Sequence, residues 1–285
     1  MPGSDNNSAM FKISVIIPTF NRKKYISRSV DSVFSQTLPV DEIIIVDDGS
    51  TDGTAEFVRR QYPAVNIISQ ENKGVSAARN LGIKAARNQW LAFLDDDDQW
   101  LPHKLEKQVA LLRHNSGIKL CHTEERWIRR GVRVNQMKKH QKSGGSIYQK
   151  CLPLCAISPS SVLLHKSLFY EVGLFREDLP ACEDYDMWLK ICARYPVAYV
   201  ESECIIKYGG HEDQLSAKHW GMDRFRIEAL RDILQSAELD EDDKQATLKI
   251  LQKKIQLFIK GAKKRNKVEE VKQYENLLQE LGLKP

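Results

Sequence analysis

The stretch WLAFLDDDDQWLP, residues 90–102, joins a short apolar run, four consecutive aspartates and the start of a helix. Its apolar part, residues 90–94, predicts a buried strand. Pro102 predicts the first turn of a helix over residues 103–115, because proline is tolerated at that position. A strand, a polar junction and a helix in this order are typical of an α/β unit, and the same order recurs upstream.

Three more strand–helix units precede this stretch. Apolar runs predict strands over residues 13–17, 42–46 and 65–69, and they alternate with helical patterns over 24–36, 51–61 and 75–86. Continuous apolar strands separated by helices predict a parallel sheet that is covered on both faces. Ligands of such sheets bind beyond the carboxyl ends of the strands, so the polar residues after each strand are candidate site residues.

The pattern changes after residue 116. Further strands are predicted over 118–123, 161–165 and 197–200, with a helix over 184–194. Residues 126–142 contain seven basic residues and no acidic one, which predicts a solvated loop or an anion-steering surface. Helical patterns alone follow residue 221. We therefore expect a tail over 1–10, an α/β domain over 11–220 and a small helical extension over 221–285.

Composition narrows the class of protein. Hydrophobic residues make up 42% and charged residues 28%, as in soluble domains, and a net charge of +5 is too small to indicate a nucleic-acid partner. No apolar run approaches the ~18 residues of a membrane span, and residues 1–10 lack the pattern of a signal peptide. We expect a cytoplasmic protein whose six cysteines are reduced; the spacing of Cys151 and Cys155 alone does not make a zinc site.

The four aspartates at 95–98 are the strongest chemical signal. Adjacent carboxylates repel one another, so a compensating charge is expected. If the chain is extended here, Asp95 and Asp97 face the same side while Asp96 points elsewhere. Both could then bind one hard cation, Mn²⁺ or Mg²⁺, since these ions prefer oxygen ligands. The alternative is an acidic turn that binds no metal.

Other junctions also contain candidate polar residues. PTFNR (18–22) follows the first strand and DDGSTD (47–52) the second, where Asp52 could instead cap a helix. In NKGVSAARN (72–80), Arg79 could pair with a diphosphate through its planar guanidinium. CEDYDMW (182–188) opens a predicted helix, where acidic residues either complement the helix dipole or act as a general base.

Together, these motifs resemble those of glycosyltransferase family 2, whose members have the GT-A fold. They are VIIPTFNR, IIIVDDGSTDGT, ENKGVSAARNLGI, FLDDDDQWLPHKLEKQ and CEDYDMW, in the family's order between residues 11 and 211. The resemblance implies inverting, metal-dependent transfer of one sugar from a nucleotide-diphosphate donor, a UDP-sugar first. The acceptor would be a hydroxyl of a saccharide or lipid-linked molecule, in bacterial cell-surface polysaccharide or glycolipid synthesis.

The resemblance also implies a role for each motif position. Donor binding is expected of Pro18, Thr19, Asn21, Asp48, Arg79, Asp95 and Asp96. Metal binding is expected of Asp97, Asp95 and His211. The catalytic base is expected to be Asp184, with Glu183 as the alternative.

Several alternatives stay open at this stage. A non-catalytic nucleotide-sugar-binding protein would carry the same motifs, whereas a nucleotidyltransferase would need a glycine-rich phosphate loop that does not follow the first strand. A response-regulator-like domain would leave residues 95–98 and 182–188 unexplained. The basic segment at 253–267 is either a solvated helix or a peripheral contact with the inner face of an anionic membrane. No QxxRW-type motif of processive relatives is present, which favours transfer of a single sugar.

Overall fold

The computed structural model describes residues 11–134, 140–210, 220–236 and 239–283. Its strands are β1 (Ile13–Thr19), β2 (Glu42–Asp47), β3 (Asn66–Ser69), β4 (Trp90–Phe93), β5 (Gln99–Trp100), β6 (Leu120–Arg129), β7 (Val132–Val134), β8 (Leu163–His165) and β9 (Ala198–Gly209). Its helices are α1 (Ile26–Phe34), α2 (Thr54–Gln61), α3 (Val75–Ala85), α4 (Lys104–His114), α5 (Tyr148–Cys151), α6 (Leu168–Val172), α7 (Glu183–Cys192), α8 (Asp223–Ser236), α9 (Glu241–Lys263) and α10 (Val268–Glu280).

The strands form one sheet in the order β3-β2-β1-β4-β8-β6-β9-β5, with β7 paired to β6. The first four strands in this order are parallel, as predicted. Every residue of β1 and β2 is buried, because helices cover both faces of this half of the sheet. The carboxyl ends of these parallel strands therefore meet at one edge, where the motif residues lie.

The second half of the sheet is mixed. β8 runs antiparallel to both β4 and β6, whereas β6 runs parallel to β9. β6 extends to Arg129 and β9 covers 12 residues, so both strands are longer than predicted. The expectation of a solvated loop from residue 126 was wrong, because residues 126–134 form the end of β6 and a hairpin to β7. Charged residues on both faces of β6, among them Glu124, Glu125 and Arg126, hid its periodicity.

The core lies on both faces of the sheet. On one face, Ile16 and Phe93 share a cluster with residues of α7 to α10, such as Trp188 and Leu251. On the other face, Val15 packs with residues of α1 and α4. The C-terminal helices thus share their core with the sheet, and the domain boundary at residue 220 stays a prediction. All six cysteines are free, as expected.

Helix α9 explains the amphipathic pattern of the basic segment. Its apolar residues Leu251, Ile255 and Phe258 are buried, and the helix packs against α8 and α10. Lys253 and Lys260 point to solvent. None of the described helices combines the length and the apolarity that crossing a bilayer requires.

Candidate active site

A cleft of about 650 Å³ opens at the carboxyl ends of β1, β2 and β4. Nearly all the predicted site residues line it: Pro18, Thr19, Asp48, Arg79, Asp95, Asp96, Asp97, Glu183 and Asp184. Two predicted residues remain. Asn21 lies outside the cleft, and His211 falls outside the described residues. Five separate sequence motifs are therefore brought together in one site.

The acidic loop, residues 95–98, is a tight turn. The amide of Asp98 donates a hydrogen bond to the carbonyl oxygen of Asp95 at 3.0 Å. The Ser29 hydroxyl, on α1, donates to the carbonyl oxygens of Asp96 and Asp98, each at 2.8 Å. The extended conformation assumed from the sequence was wrong, because residues 96 and 97 form a turn that the hydrogen bond between Asp98 and Asp95 closes.

Two carboxylates of the acidic loop form ion pairs with arginines from earlier motifs. Asp95 accepts from Nη2 of Arg79 at 2.8 Å, and Asp96 from Nε of Arg22 at 3.3 Å. Arg22 follows β1 and Arg79 lies on α3, so these pairs fasten the acidic loop to the parallel half of the sheet. Part of the positive charge that offsets the repulsion among the four carboxylates thus comes from arginines of the protein itself.

The remaining two carboxylates, those of Asp98 and Asp97, differ in their partners. Asp98 accepts a hydrogen bond from the Ser160 hydroxyl at 2.6 Å and lies 3.3 Å from Nζ of Lys207. Asp97 lines the cleft, and its carboxylate makes no hydrogen bond or ion pair with any side chain or backbone group that the structure describes. Asp97 is therefore the member of the loop that is open to a ligand.

The protonation of the loop reflects this crowding. Burial, together with repulsion from neighbouring carboxylates, raises the pKa of Asp96 and Asp98 to about 7 and that of Asp97 to about 6. Burial acts on Asp95 as well, but Arg79 and Lys207 outweigh it and lower the pKa of Asp95. The loop thus holds excess negative charge, which a bound cation would stabilise.

Asp48 stabilises the loop that follows β3. Its carboxylate accepts hydrogen bonds from the backbone amides of Lys73 and Gly74 at 2.9 and 2.8 Å, and from Nε2 of Gln70 at 2.6 Å. Gly74 has φ +90, which favours glycine, so the amides can turn towards Asp48. Asp48 is only 4% exposed, yet it still borders the cleft at the end of β2.

Asn21 joins two loops instead of facing the cleft. Its side-chain oxygen accepts from the amide of Thr51 at 2.8 Å, and its own amide donates to the Ser50 hydroxyl at 2.8 Å. Asn21 has φ 55, a conformation that asparagine tolerates better than most residues. The structure therefore places Asn21 in a position where it orients the loops after β1 and β2.

Arg79 bridges the acidic loop and the first turn of α7. Its guanidinium, on a side chain only 4% exposed, contacts Glu183 through Nη1 at 2.6 Å and Asp95 through Nη2 at 2.8 Å. Burial lowers the pKa of Arg79, but the two carboxylates outweigh it and raise the pKa above its usual value. Both terminal nitrogens of Arg79 thus pair with the protein's own carboxylates, and its contact with a diphosphate stays a prediction.

Asp184 and Glu183 have different environments although they are adjacent. Glu183 is buried against Arg79, and burial together with the charge of Asp184 raises its pKa. Asp184 is partly exposed and lines the cleft; it accepts hydrogen bonds from the amide of Tyr185 at 2.7 Å and from the thiol of Cys155 at 3.2 Å. Among the described residues it has no cationic partner. Asp184 is thus the carboxylate that an acceptor can reach.

A metal ion fits only part of this arrangement. In the described ranges, no group of three or more His, Cys, Asp or Glu side chains is placed to hold a metal by itself. Mg²⁺ and similar ions, however, are commonly held by one or two carboxylates plus substrate phosphates. The open carboxylate of Asp97, beside Asp95, provides hard oxygen ligands of that kind. Its chemistry suits a cation that binds together with a diphosphate.

Residues 14–158, about half of the chain, match the family model described as Glycosyl transferase family 2. The chain belongs to this family. An uncharacterized glycosyltransferase of Rickettsia felis is 33% identical over 213 residues, which are 72% of this chain and 35% of that protein. The chain spans 28–35% of the length of three such Rickettsia relatives. The putative teichuronic acid biosynthesis glycosyltransferase TuaG of Bacillus subtilis is 29% identical over 73% of this chain and 82% of its own.

Solved structures of other glycosyltransferases have the same fold. S. aureus TarS 1–349 in complex with UDP-GlcNAc superposes with a TM-score of 0.67 at 22% identity, covering 86% of this chain and 72% of that one. The mannosyltransferase PcManGT from Pyrobaculum calidifontis, in complex with GDP-Man and Mn²⁺, gives 0.61 at 17% identity, covering 89% and 76%. At these identities the likeness establishes the GT-A fold of this family 2 chain.

Sequence reasoning missed several residues that line the cleft of this glycosyltransferase fold. They come from β6, β9 and the region of α8: Trp127, Arg129, Lys207, Tyr208, Met222 and Arg226. Strand alternation beyond residue 123 is the signal that could have indicated the first two, because residues 125, 127 and 129 then share one face. For the α8 region we find no such signal, since its position depends on tertiary packing.

Proposed function

We propose that the chain is an inverting, metal-dependent glycosyltransferase that moves a single sugar from a nucleotide-diphosphate donor to an acceptor hydroxyl. The observation that carries this proposal is a contrast within the acidic loop and the first turn of α7. Each other acid of these two segments forms an ion pair, whereas no arginine or lysine among the described residues contacts Asp97 or Asp184 at ion-pair distance. The open carboxylate of Asp97 is suited to bind a metal–diphosphate complex, and that of Asp184 is suited to act as a general base.

In this proposal the donor lies along the parallel half of the sheet. Thr19 and Asp48, at the ends of β1 and β2, border the cleft where the nucleoside would lie. The complex of TarS with UDP-GlcNAc supports a UDP-sugar, whereas that of PcManGT with GDP-Man shows that other nucleotides occur on this fold. A UDP-sugar is therefore the first donor to test.

The cation, Mn²⁺ or Mg²⁺, would be held by Asp97 with Asp95, and His211 stays a predicted ligand. When bound, such an ion neutralises charge that develops on a leaving diphosphate. The Mn²⁺ in the PcManGT complex supports metal use on this fold. Because no three-residue metal group is present in the described chain, we expect the cation to bind weakly until a diphosphate is present.

Asp184 is the proposed general base. An acceptor hydroxyl is a poor nucleophile, and a carboxylate within hydrogen-bond reach can remove its proton while the new bond forms. The oxygen then attacks the anomeric carbon from the side opposite the leaving diphosphate, which inverts the configuration there. Glu183 is less suited to this task, because Arg79 already binds it at 2.6 Å.

The biological setting is part of the same proposal. The described role of TuaG supports bacterial cell-surface polysaccharide or glycolipid synthesis, with a saccharide or lipid-linked acceptor. We place the protein in the cytoplasm, with Lys253 and Lys260 of α9 against an anionic membrane surface. Sedimentation with anionic vesicles, and its loss in Lys253→Glu/Lys260→Glu, would support this contact; failure of the wild type to sediment would remove it.

A thermal-shift panel tests the donor site. UDP-, GDP- and TDP-sugars are added to the wild type with and without Mn²⁺, since a ligand of the folded state raises its apparent stability. We expect a Mn²⁺-dependent shift with one nucleotide, lost in Asp97→Asn but kept in the control Asp242→Asn, an exposed acid at the start of α9. No shift with any donor would contradict the proposal, and a shift without turnover would favour a non-catalytic binder.

A further inference from the structure

The carboxyl-terminal part of β6 presents a row of polar side chains to the cleft. Strand alternation places Glu125, Trp127 and Arg129 on one face. The parallel register with β9 sets Lys207 opposite Trp127. Trp127, Arg129 and Lys207 all line the cleft, although the donor and metal chemistry proposed above uses none of them.

The Trp127 ring is held in a fixed orientation. Its Nε1 donates a hydrogen bond to Oε1 of Glu125 at 3.0 Å. Glu125 is itself buried, and its other oxygen accepts from Nζ of Lys142 at 3.0 Å and from the Ser158 hydroxyl. A half-buried aromatic ring whose polar atom is already satisfied provides a preformed surface on which an apolar sugar face can stack.

Arg129 differs from the other cations of the cleft. Arg22, Arg79 and Lys207 each pair with a carboxylate of the acidic loop. Arg129 is exposed, its guanidinium lies 5.7 Å from the centre of the Trp127 ring, and no acidic partner for it exists in the part of the chain described here. A guanidinium that has no acidic partner among the described residues and lies beside an aromatic ring is suited to an anionic group on a ligand that stacks there.

The position of β6 separates this surface from the donor's nucleoside. In the sheet, β2 with Asp48 lies two strands to one side of β4 and its acidic loop, and β6 lies two strands to the other side. With neighbouring strands about 4.8 Å apart, the axes of β2 and β6 each lie about 10 Å from the axis of β4. A donor that extends from Asp48 to the acidic loop therefore leaves Trp127 and Arg129 to the molecule that receives the sugar.

We propose that Trp127 and Arg129 form the acceptor subsite, and that the acceptor carries an anionic group, a phosphate or a carboxylate, beside the sugar that stacks on Trp127. This inference rests on the proposed function. The Arg129 guanidinium donates hydrogen bonds to the anion, and Trp127 contacts the sugar ring. Arg133 offers a matched control, since it is an exposed arginine on the neighbouring strand that pairs with Glu203 at 2.7 Å and lies outside the cleft.

Ligand-detected NMR titrations on the full chain, saturated with the nucleoside diphosphate of the thermal-shift panel and Mn²⁺, test this inference. The probes are 4-nitrophenyl β-glucoside, the corresponding glucuronide and the corresponding glucoside 6-phosphate, which separate the neutral, carboxylate and phosphate cases. We expect at least one charged probe to bind about tenfold more tightly than the neutral one. Arg129→Gln should remove that preference, Arg133→Gln should keep it, and Trp127→Leu should weaken all three probes.

Three results would overturn the inference: equal affinity for neutral and charged probes, no binding of either charged probe, or a preference that survives Arg129→Gln. The stronger of the two charged probes identifies the anion as carboxylate or phosphate. The thermal-shift panel keeps the two proposals apart, because a donor shift with no charge preference removes only the acceptor subsite. Absence of any donor shift contradicts the proposed function itself.

Discussion

The acidic loop and the first turn of α7 both contain adjacent carboxylates that repel one another, and in both segments Arg79 offsets part of this repulsion. Each places several carboxylates side by side, and each gives one of them, Asp95 or Glu183, to the buried guanidinium of Arg79. Each also leaves a partly exposed carboxylate open to the cleft, Asp97 in the loop and Asp184 in the helix. The two segments lie 85 or more residues apart in the chain, yet one arginine sets their relative position.

The difference between the two segments lies in burial and in partners. Burial and neighbouring charges raise the pKa of Asp97 to about 6, which a cation would reverse. Asp184 instead accepts two hydrogen bonds, from Tyr185 and Cys155, at the N-terminus of a helix, where a carboxylate is stabilised. We infer that the paired acids hold the geometry and that the open acids perform the chemistry.

The largest expected effect separates Asp184 from Glu183. Asp184→Asn should lower the rate of sugar transfer by about 10²–10⁴-fold, because a general base contributes on that scale. It should leave donor affinity and melting temperature close to those of the wild type. Glu183→Gln should lower the melting temperature clearly, since it weakens a partner of buried Arg79. Full activity in Asp184→Asn would overturn this division of roles.

The shared arginine should matter most for stability. Arg79→Met leaves buried Glu183 and partly exposed Asp95 without their shared cation, which should lower the free energy of unfolding by about 3–5 kcal/mol in urea denaturation. Arg87→Met is the control, because Arg87 pairs with Glu42 from a side chain that is 80% exposed, and we expect a loss of less than about 1 kcal/mol. Equal losses in the two variants would show that Arg79 does not link the segments.

Asp97 should couple the metal to the nucleotide. In calorimetric titrations, Mn²⁺ should increase the affinity of the wild type for the nucleoside diphosphate by about 5–150-fold, the usual range of such coupling. Asp97→Asn should lose this increase while keeping the affinity measured in EDTA. Asp98→Asn should lose stability instead, because Asp98 is buried against Ser160 and Lys207. Unchanged coupling in Asp97→Asn would contradict the assignment.

The acidic loop should also make the free energy of unfolding depend on pH. Burial raises the pKa of Asp96 to about 7 in the folded chain, so between the unfolded value near 4 and pH 7 the folded state binds more protons. Stability should therefore fall as pH rises through this window in metal-free protein. Asp96→Asn should flatten the slope by at most about 1.4 kcal/mol per pH unit. The exposed control Glu201→Gln should keep the wild-type slope of stability against pH. An equal or steeper slope in Asp96→Asn than in this control would contradict the prediction.

The smallest effect concerns Cys155. Its single thiol proton is shared between Asp184 at 3.2 Å and the carbonyl oxygen of Ile157 at 3.1 Å, and thiols are weak donors. Cys155→Ala should lower the transfer rate by only about 2–5-fold, as the carboxylate loses one of its two orienting hydrogen bonds. The control Cys204→Ala removes a buried thiol away from the cleft and should leave the rate unchanged. Equal rates for both variants would show that Cys155 does not orient the base.

The parallel half of the sheet could be predicted closely from sequence. The predicted strand over residues 42–46 became Glu42–Asp47, and the strand over 90–94 became Trp90–Phe93. These strands are buried on both faces, so their apolar runs are continuous and end where the polar motif begins. For the same reason, most of the predicted residues after these strands line the cleft, with Asn21 as an exception.

The other half of the site could not be predicted in this way. β6 and β9 carry charged residues such as Arg129 and Lys207 towards the cleft, which interrupts the apolar pattern by which strands are recognised. The pairing of Arg79 with Glu183 spans 104 residues, and no local pattern indicates such a contact. The turn at residues 95–98 depends on the hydroxyl of Ser29, far away in sequence.

The most direct test of the account is the anomeric configuration of the product. Proton NMR can follow it in a reaction that starts from the donor that shifts the melting temperature. With Mn²⁺ present, the wild type should release nucleoside diphosphate and form a sugar product whose first detected anomer is opposite to that of the donor, in transfer or in slow hydrolysis. Asp184→Asn should bind the same donor and release nothing over that time. A product that retains the donor's configuration, or release at the wild-type rate by Asp184→Asn, would contradict an inverting reaction with Asp184 as its base.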